Sequence, residues 1–328
     1  MVQLGILLTQ QYRLLSVAAM LDVFETANRF CEQDGVAPAF HISLLYPGKS
    51  KPVIYSPHPL HALQQAPQQD IILIPAFAAD EIADAVIVNQ ECLPWLQAQY
   101  KQGAEVASFC SGAFLLAASG LLNGKPATTH IQAASTFANN FPQVQLRAKE
   151  VTTFEDGVYT SGGATNSFHL MLRILEKYCG RELAVRVAKY FAIDMDREQQ
   201  TYFSTFKPLQ QHRDELVTAL QQHIEQGYRA AVTVEDLMVN IPASRRNLVR
   251  RFKIATGFTP IEYLQNTRVE AAKKLLESTD DSVQGVMLDC GYNDLKAFRQ
   301  LFRKATGMTP TAYREKFCSR YTGATATA

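Results

Sequence analysis

The sequence lacks the features that would confine it to a specialised class. Its six cysteines, Cys31, Cys92, Cys110, Cys179, Cys290 and Cys318, form no C-x-x-C pair, and no cysteine–histidine cluster has zinc spacing. In a chain of 328 residues that scatter excludes a disulfide framework and suits a reducing cytosol. A cytoplasmic protein with no resident metal or cofactor is therefore expected. No apolar run reaches the roughly 18–20 residues that a membrane helix needs, so no membrane partner is expected either. The segment 1–8 has no basic stretch ahead of its apolar one and suits a first strand better than a signal peptide. The composition, 47% hydrophobic and 19% charged, excludes a wholly disordered, collagen-like or coiled-coil chain.

Net charge is also nearly absent, at +1, and by itself names no partner. Its distribution is more informative. Residues 1–200 hold 14 Lys/Arg against 18 Asp/Glu, a balance of −4; residues 201–328 hold 18 against 13, a balance of +5. An acidic body followed by a basic tail points to a polyanionic partner for the tail.

The first two hundred residues alternate short apolar runs with helical patterns. Val2–Leu8, Phe40–Tyr46, Asp70–Pro75 and Glu105–Phe109 are expected strands. Helices are expected at about Ala18–Arg29, Asn89–Gln102, Ser111–Ser119 and Thr165–Cys179. The Asp70–Pro75 run is apolar on both faces, as a central parallel strand should be. This alternation predicts a doubly wound, flavodoxin-like α/β domain with its ligand site at the carboxyl ends of the strands. One turn carries a chemical signal. The strand ending at Phe109 runs directly into Cys110, with Ser108 and Gly112 two positions to either side. Small flanking residues permit the sharp strand-to-helix turn that presents a nucleophile. Leu121–Gly124 then forms a turn, and Ala127-Thr128-Thr129-His130 follows.

This stretch resembles the PfpI/ThiJ branch of the class I glutamine-amidotransferase-like superfamily. That branch has a cysteine elbow, a helix, a "GLL-x-G" turn and a "TTH" segment in the same order. The resemblance spans about Val2 to Phe191 and pairs Cys110 with His130, 20 positions later. It also exposes a departure. Enzymes of the branch place a carboxylate in the loop that opens the first helix, and the matching position here is Ser16. A serine cannot take up a proton as a carboxylate does, and a thiol without a well-placed base is weak near neutrality. The resemblance therefore implies a pocket that binds a small molecule, with Phe77, Cys110, Ser111, His130 and Asn166 as its expected lining. A cysteine-dependent hydrolase or hydratase using Cys110 and His130 is the alternative, and no catalytic residue is assigned.

The last hundred and twenty residues contain an internal repeat. Phe252, Thr256, Gly257, Pro260 and Tyr263 recur as Phe302, Thr306, Gly307, Pro310 and Tyr313, each 50 positions on. Thr233–Met238 recurs as Ser282–Met287 at a separation of 49. Each copy opens on an N-capping hydroxyl, turns at 240–243 or 290–293, and continues into a second, basic helix that ends at Gly257 or Gly307. Two short helices about a tight turn form a helix-turn-helix unit. The linking helix, about Pro260–Ser278, is expected to bury Ala271, Leu275 and Leu276.

The doubled unit resembles the AraC/XylS family of transcriptional regulators over about Leu209 to Phe317. Ser244, Arg246, Leu248, Arg250 and Phe252 match the family pattern of the first copy. Gly291-Tyr292, Phe298–Phe302 and Thr306–Arg314 match that of the second. Pro242 in the first turn, and Met238 and Met287 where alanine is usual, depart from it. The resemblance implies that the recognition helices enter successive major grooves of double-stranded DNA. Base readers would be Arg246, Val249 and Arg250 in the first copy, and Leu295, Lys296 and Arg299 in the second. Ser244, Arg245 and Arg303 complete the expected DNA-contacting set. Arginine and lysine donate to guanine edges, whereas valine and leucine pack on thymine methyls.

The organisation expected is thus a sensor domain at 1–193, a linker at 194–208 and an all-α DNA-binding domain at 209–328, with helix-turn-helix units at about 233–257 and 282–307. The combination resembles a branch of these regulators controlled by amino acids or amines. A small-molecule effector, a homodimer and contact with RNA polymerase follow from that resemblance.

Overall fold

The computed structural model describes residues 1–48, 51–79, 81–163, 165–195, 206, 212, 214–230, 233–239 and 241–318. The chain divides into two compact units, Met1–Gln200 and Thr201–Ala328. The expected linker over 194–208 lies almost wholly outside the described residues.

In the first unit the chain runs β1 (Val2–Leu7), α1 (Leu14–Gln33), β2 (Phe40–Tyr46), β3 (Leu60–Ala62), β4 (Ile71–Ile74), α2 (Ile82–Val88), α3 (Cys92–Lys101) and β5 (Glu105–Phe109). It continues through α4 (Ala113–Ala118), the short pair β6 (Pro126–Ala127) and β7 (Gln145–Leu146) with α5 (Ala134–Asn140) between them, β8 (Thr152–Glu155), β9 (Val158–Ser161), α6 (Asn166–Cys179) and α7 (Arg181–Tyr190). Seven strands form one sheet in the order β3-β2-β1-β4-β5-β9-β8, parallel except for the β8–β9 pair. Successive residues of β4 alternate between two cores. Ile71 and Leu73 pack with α1, α6 and α7, while Ile72 and Ile74 pack with α2, α3 and α4. A strand covered on both faces must be apolar throughout, which is the Asp70–Pro75 signal.

The sequence expectation does not include α2, α5 or α7, and α3 begins at Cys92, not at Asn89. Two further details differ. The first helix begins at Leu14, four residues early, because Leu14 and Leu15 extend it although both are exposed. The β8–β9 hairpin was not foreseen. Its turn is Asp156-Gly157, both at positive φ (46° and 73°). An Asp-Gly pair between two short segments rich in β-branched and aromatic residues is a sequence mark of such a hairpin.

The second unit is helical: α8 (Glu215–Gly227), α9 (Val234–Met238), α10 (Arg245–Thr256), α11 (Pro260–Ser278), α12 (Val283–Asp289), α13 (Leu295–Thr306) and α14 (Pro310–Phe317). It has two cores, one for each half. Leu248, Phe252 and Tyr263 anchor the first; Phe298, Phe302 and Tyr313 anchor the second. On the linking helix the fully buried alanine is Ala272. Ala271 and Leu275, expected to be buried, are only half-buried, and Leu276 is fully so.

Candidate functional site

The repeat persists atom by atom in the second unit. The Thr256 hydroxyl donates to the Phe252 carbonyl at 2.7 Å, and the Thr306 hydroxyl donates to the Phe302 carbonyl at 2.8 Å. Gly257 and Gly307 end α10 and α13 in the left-handed region, at φ 79° and 80°. At this end of a helix a glycine has no Cβ to clash with the reversed backbone. The following helices, α11 and α14, are capped by Thr259 and Thr309 with proline at the first position. The Tyr263 hydroxyl donates to Glu225 on α8 at 2.7 Å, and the Tyr313 hydroxyl donates to Glu277 on α11 at 2.6 Å. Each unit therefore includes the helix ahead of it, a third helix that the repeat in the sequence did not reveal.

Helices α10 and α13 turn their charges outward. On α10, Arg245, Arg246 and Arg250 are exposed, with Leu248 and Phe252 beneath them. Ser244 caps this helix, accepting from the Asn247 amide. On α13, Lys296, Arg299 and Arg303 are exposed above Phe298 and Phe302. Asp294 caps it, accepting from the amides of Lys296 and Ala297 at 2.8 and 3.0 Å. The two expected apolar base readers are placed differently from the charged ones. Val249 is half-buried, and Leu295 is half-buried against the core of the second half. Leu295 is the first helical residue, where a side chain leans back over the preceding turn.

The first-copy turn is the weaker match between the halves. Helix α9 has five residues where α12 has seven. Pro242 lies in this turn and bars the local backbone from continuing the helix. Of the methionines, Met287 is buried in the second core, while Met238 is only partly covered by the first.

The halves meet at Arg268 on α11, which is 8% exposed. Its guanidinium donates to the carbonyls of Tyr228 and Ala230, both at 2.9 Å, just beyond the end of α8. It also lies 5.2 Å from the centre of the Tyr292 ring. Gly291, at φ 79°, presses against the same carbonyls. A Cβ there would come within 2.4 Å of the Tyr228 oxygen. The Gly291-Tyr292 element of the sequence is thus the point where the second turn seats on the first half.

The first unit holds a cavity of about 820 Å³ lined by Phe77, Cys110, Ser111 and His130, four of the five expected residues. Asn166 does not line it. This side chain is buried at the start of α6, and its neighbours Thr165, Ser167 and Phe168 reach the wall instead. The elbow forms as expected: Cys110 has φ 54°, and a Cβ on Gly112 would lie 2.5 Å from the Pro75 carbonyl oxygen. The thiol is not freely presented, however; the residue is 8% exposed and sits in the cavity wall. Thr129 fixes the turn by donating to the Cys110 carbonyl at 2.9 Å. Ser16 stands in the same wall, its Oγ accepting from the Ala76 amide at 3.1 Å. His130 packs against Gly163, and its Nδ1 accepts from the Gln132 amide at 3.2 Å. Burial, and then the nearby Arg13 charge, hold the His130 imidazole below its usual pKa, which favours the neutral ring. Arg13 is a wall residue that the sequence did not single out.

Residues 56–177 match the DJ-1/PfpI family, and residues 240–316 match the helix-turn-helix domain family. The two matched stretches lie in that order along the chain, with residues 178–239 between them. It is similar to the HTH-type transcriptional regulator GbdR of Pseudomonas aeruginosa, 27% identical over 236 residues, covering 70% of this chain and 62% of that protein. It is likewise similar to the HTH-type transcriptional regulator CdhR of the same species, 27% identical over 232 residues, covering 69% and 68%. The matched part thus falls short of two thirds of GbdR. A crystal structure of a proposed transcriptional regulator from Vibrio parahaemolyticus has a similar fold over part of the chain. Its TM-score is 0.50 at 22% identity, over 58% of this chain and 98% of that one. Among the described residues, no helix is long and apolar enough to cross a membrane.

Proposed function

We propose that this protein is a sequence-specific, DNA-binding transcriptional regulator. The observation that carries the proposal is the duplicated AraC-type unit, with two capped helices turning their basic faces outward from separate cores. In this reading Arg246, Val249, Arg250, Leu295, Lys296 and Arg299 face base edges, and Ser244, Arg245 and Arg303 contact the backbone. The names of GbdR and CdhR as transcriptional regulators support it. The DJ-1/PfpI domain serves as the sensor, its cavity taking a metabolite of the amino acid or amine class. A ligand alters DNA binding only if it binds the DNA-bound and free forms with different affinity. The proposal further comprises a cytoplasmic homodimer that acts together with RNA polymerase.

The hydrolase or hydratase reading is not adopted. Where enzymes of the branch carry a carboxylate, Ser16 offers a hydroxyl already engaged with the backbone. Selection of bound duplexes from a random pool, repeated with amino acids and amines, tests the proposal. A preferred sequence whose recovery changes with one compound supports it; binding with no sequence preference overturns it.

A further inference from the structure

Around Ser16, Ser111 and His130 the wall of the cavity presents donors. The Ser16 Oγ already accepts from the Ala76 amide, and the Ser111 Oγ accepts from the adjacent Phe77 amide at 2.9 Å. A hydroxyl that accepts from a backbone amide keeps its own proton to give. His130 follows the same logic. Its Nδ1 accepts from the Gln132 amide, so the neutral ring carries its proton on Nε2. Arg13 adds a cation with an exposed side chain. Glu81, exposed at the start of α2, is the one carboxylate among the described lining residues. The rest of the wall is largely apolar, with Ala19, Ile82, Val86, Phe114, Phe141 and Phe168.

From this arrangement we infer that the cavity takes a small organic carboxylate with an apolar body. The carboxylate is held by Arg13 and by the protons of Ser16, Ser111 and His130. Three donors and a cation satisfy a group that only accepts, whereas an ammonium group at that end would meet the charge of Arg13 and leave the three protons without an acceptor. Serine at position 16 has a direct consequence here. A carboxylate in its place would offer lone pairs and negative charge where the ligand needs protons. The same replacement that weakens the case for thiol chemistry thus builds a site for an anion. This inference rests on the cavity being the effector site, and within the amino acid or amine class proposed above it selects the members that carry a carboxylate.

The test is calorimetric titration of the full chain without DNA, so that it stands or falls apart from the duplex selection. The probes are acetate, 4-methylpentanoate and phenylacetate, with the primary amide and the primary amine of the 4-methylpentyl skeleton. The expected result is saturable binding of at least one apolar carboxylate, with the matching amide about tenfold weaker or more, and the amine weaker still. Ser16→Asp should abolish carboxylate binding while the melting transition is retained. Should that variant fail to fold, Arg13→Gln, changed at an exposed side chain, should weaken the carboxylate about tenfold and leave the amide unchanged. Binding of the amide or amine as tight as the carboxylate overturns the inference. So does the absence of binding by all three carboxylates, or undiminished binding by the folded variants.

Discussion

The two helix-turn-helix copies share caps, cores and glycine stops, yet they treat their cations differently. In the first copy, Arg245 is paired with Glu235 on α9, and Arg251 makes a two-pronged contact with Asp214 at 2.7 and 2.8 Å. This contact holds the Asp214 carboxyl below the ordinary range, through the Arg251 hydrogen bond foremost. In the second copy, Lys296, Arg299, Arg303 and Lys304 form no ion pair among the described residues. A cation already neutralised by a neighbouring carboxylate has less to offer a phosphate, because the pair must be broken first. Duplication thus preserved the scaffold and left the electrostatics free to diverge, with the second helix the more open to a polyanion.

The largest effects should come from breaking the junction that the copies share. Arg268→Gln leaves two carbonyls with a poorer donor, and the chain should lose about 2–4 kcal/mol of stability by denaturant titration. Gly291→Ala forces a Cβ against the Tyr228 oxygen at a φ that suits glycine. It should lower the melting temperature of the second unit, and an unchanged transition would mean that the turn does not seat where described. Next in size, Arg299→Ala should cost about 1–3 kcal/mol of affinity for the selected duplex and flatten base preference at one position. Arg246→Ala should do the same for the first half-site by a smaller amount. Equal losses would erase the contrast between the copies. The smallest effect is expected from Glu235→Gln. Releasing Arg245 should raise affinity at low salt by about threefold or less and steepen the salt dependence, measured by fluorescence anisotropy.

Asp214 sharpens the comparison by pH. A carboxyl held low in the folded state adds stability that is present above its unfolded pKa and is lost as pH falls through the folded value. Acidification below about pH 4 should therefore weaken the first half of the unit through Asp214, and Asp214→Asn should remove that part of the pH dependence.

The helix-turn-helix elements were the most legible part of the sequence, because their signals are local. A hydroxyl at an N-cap, an apolar pair four apart and a glycine at the stop each act within a single turn of helix. The Cys110 elbow was legible for the same reason, since Ser108 and Gly112 stand two residues away. The β8–β9 hairpin carried its mark, Asp156-Gly157, but the flanking strands have only four residues each. Asn166 failed as a wall residue because the start of a helix points successive side chains in different directions, and its neighbours reach the cavity in its place. Leu295 could be placed on a helix from the sequence, but whether it leaned into the core or away from it could not.

From the sequence alone came the doubly wound sheet, the doubled basic unit and the Cys110 elbow. Periodicity, repetition and residue type are properties of the chain itself. Tertiary structure alone decided which groups already have partners. Arg245 meets Glu235, Arg268 meets the end of α8, and the hydroxyls of Ser16 and Ser111 each accept from a backbone amide. Whether a polar group is free to act depends on the atoms folded against it, and those come from positions far apart along the chain.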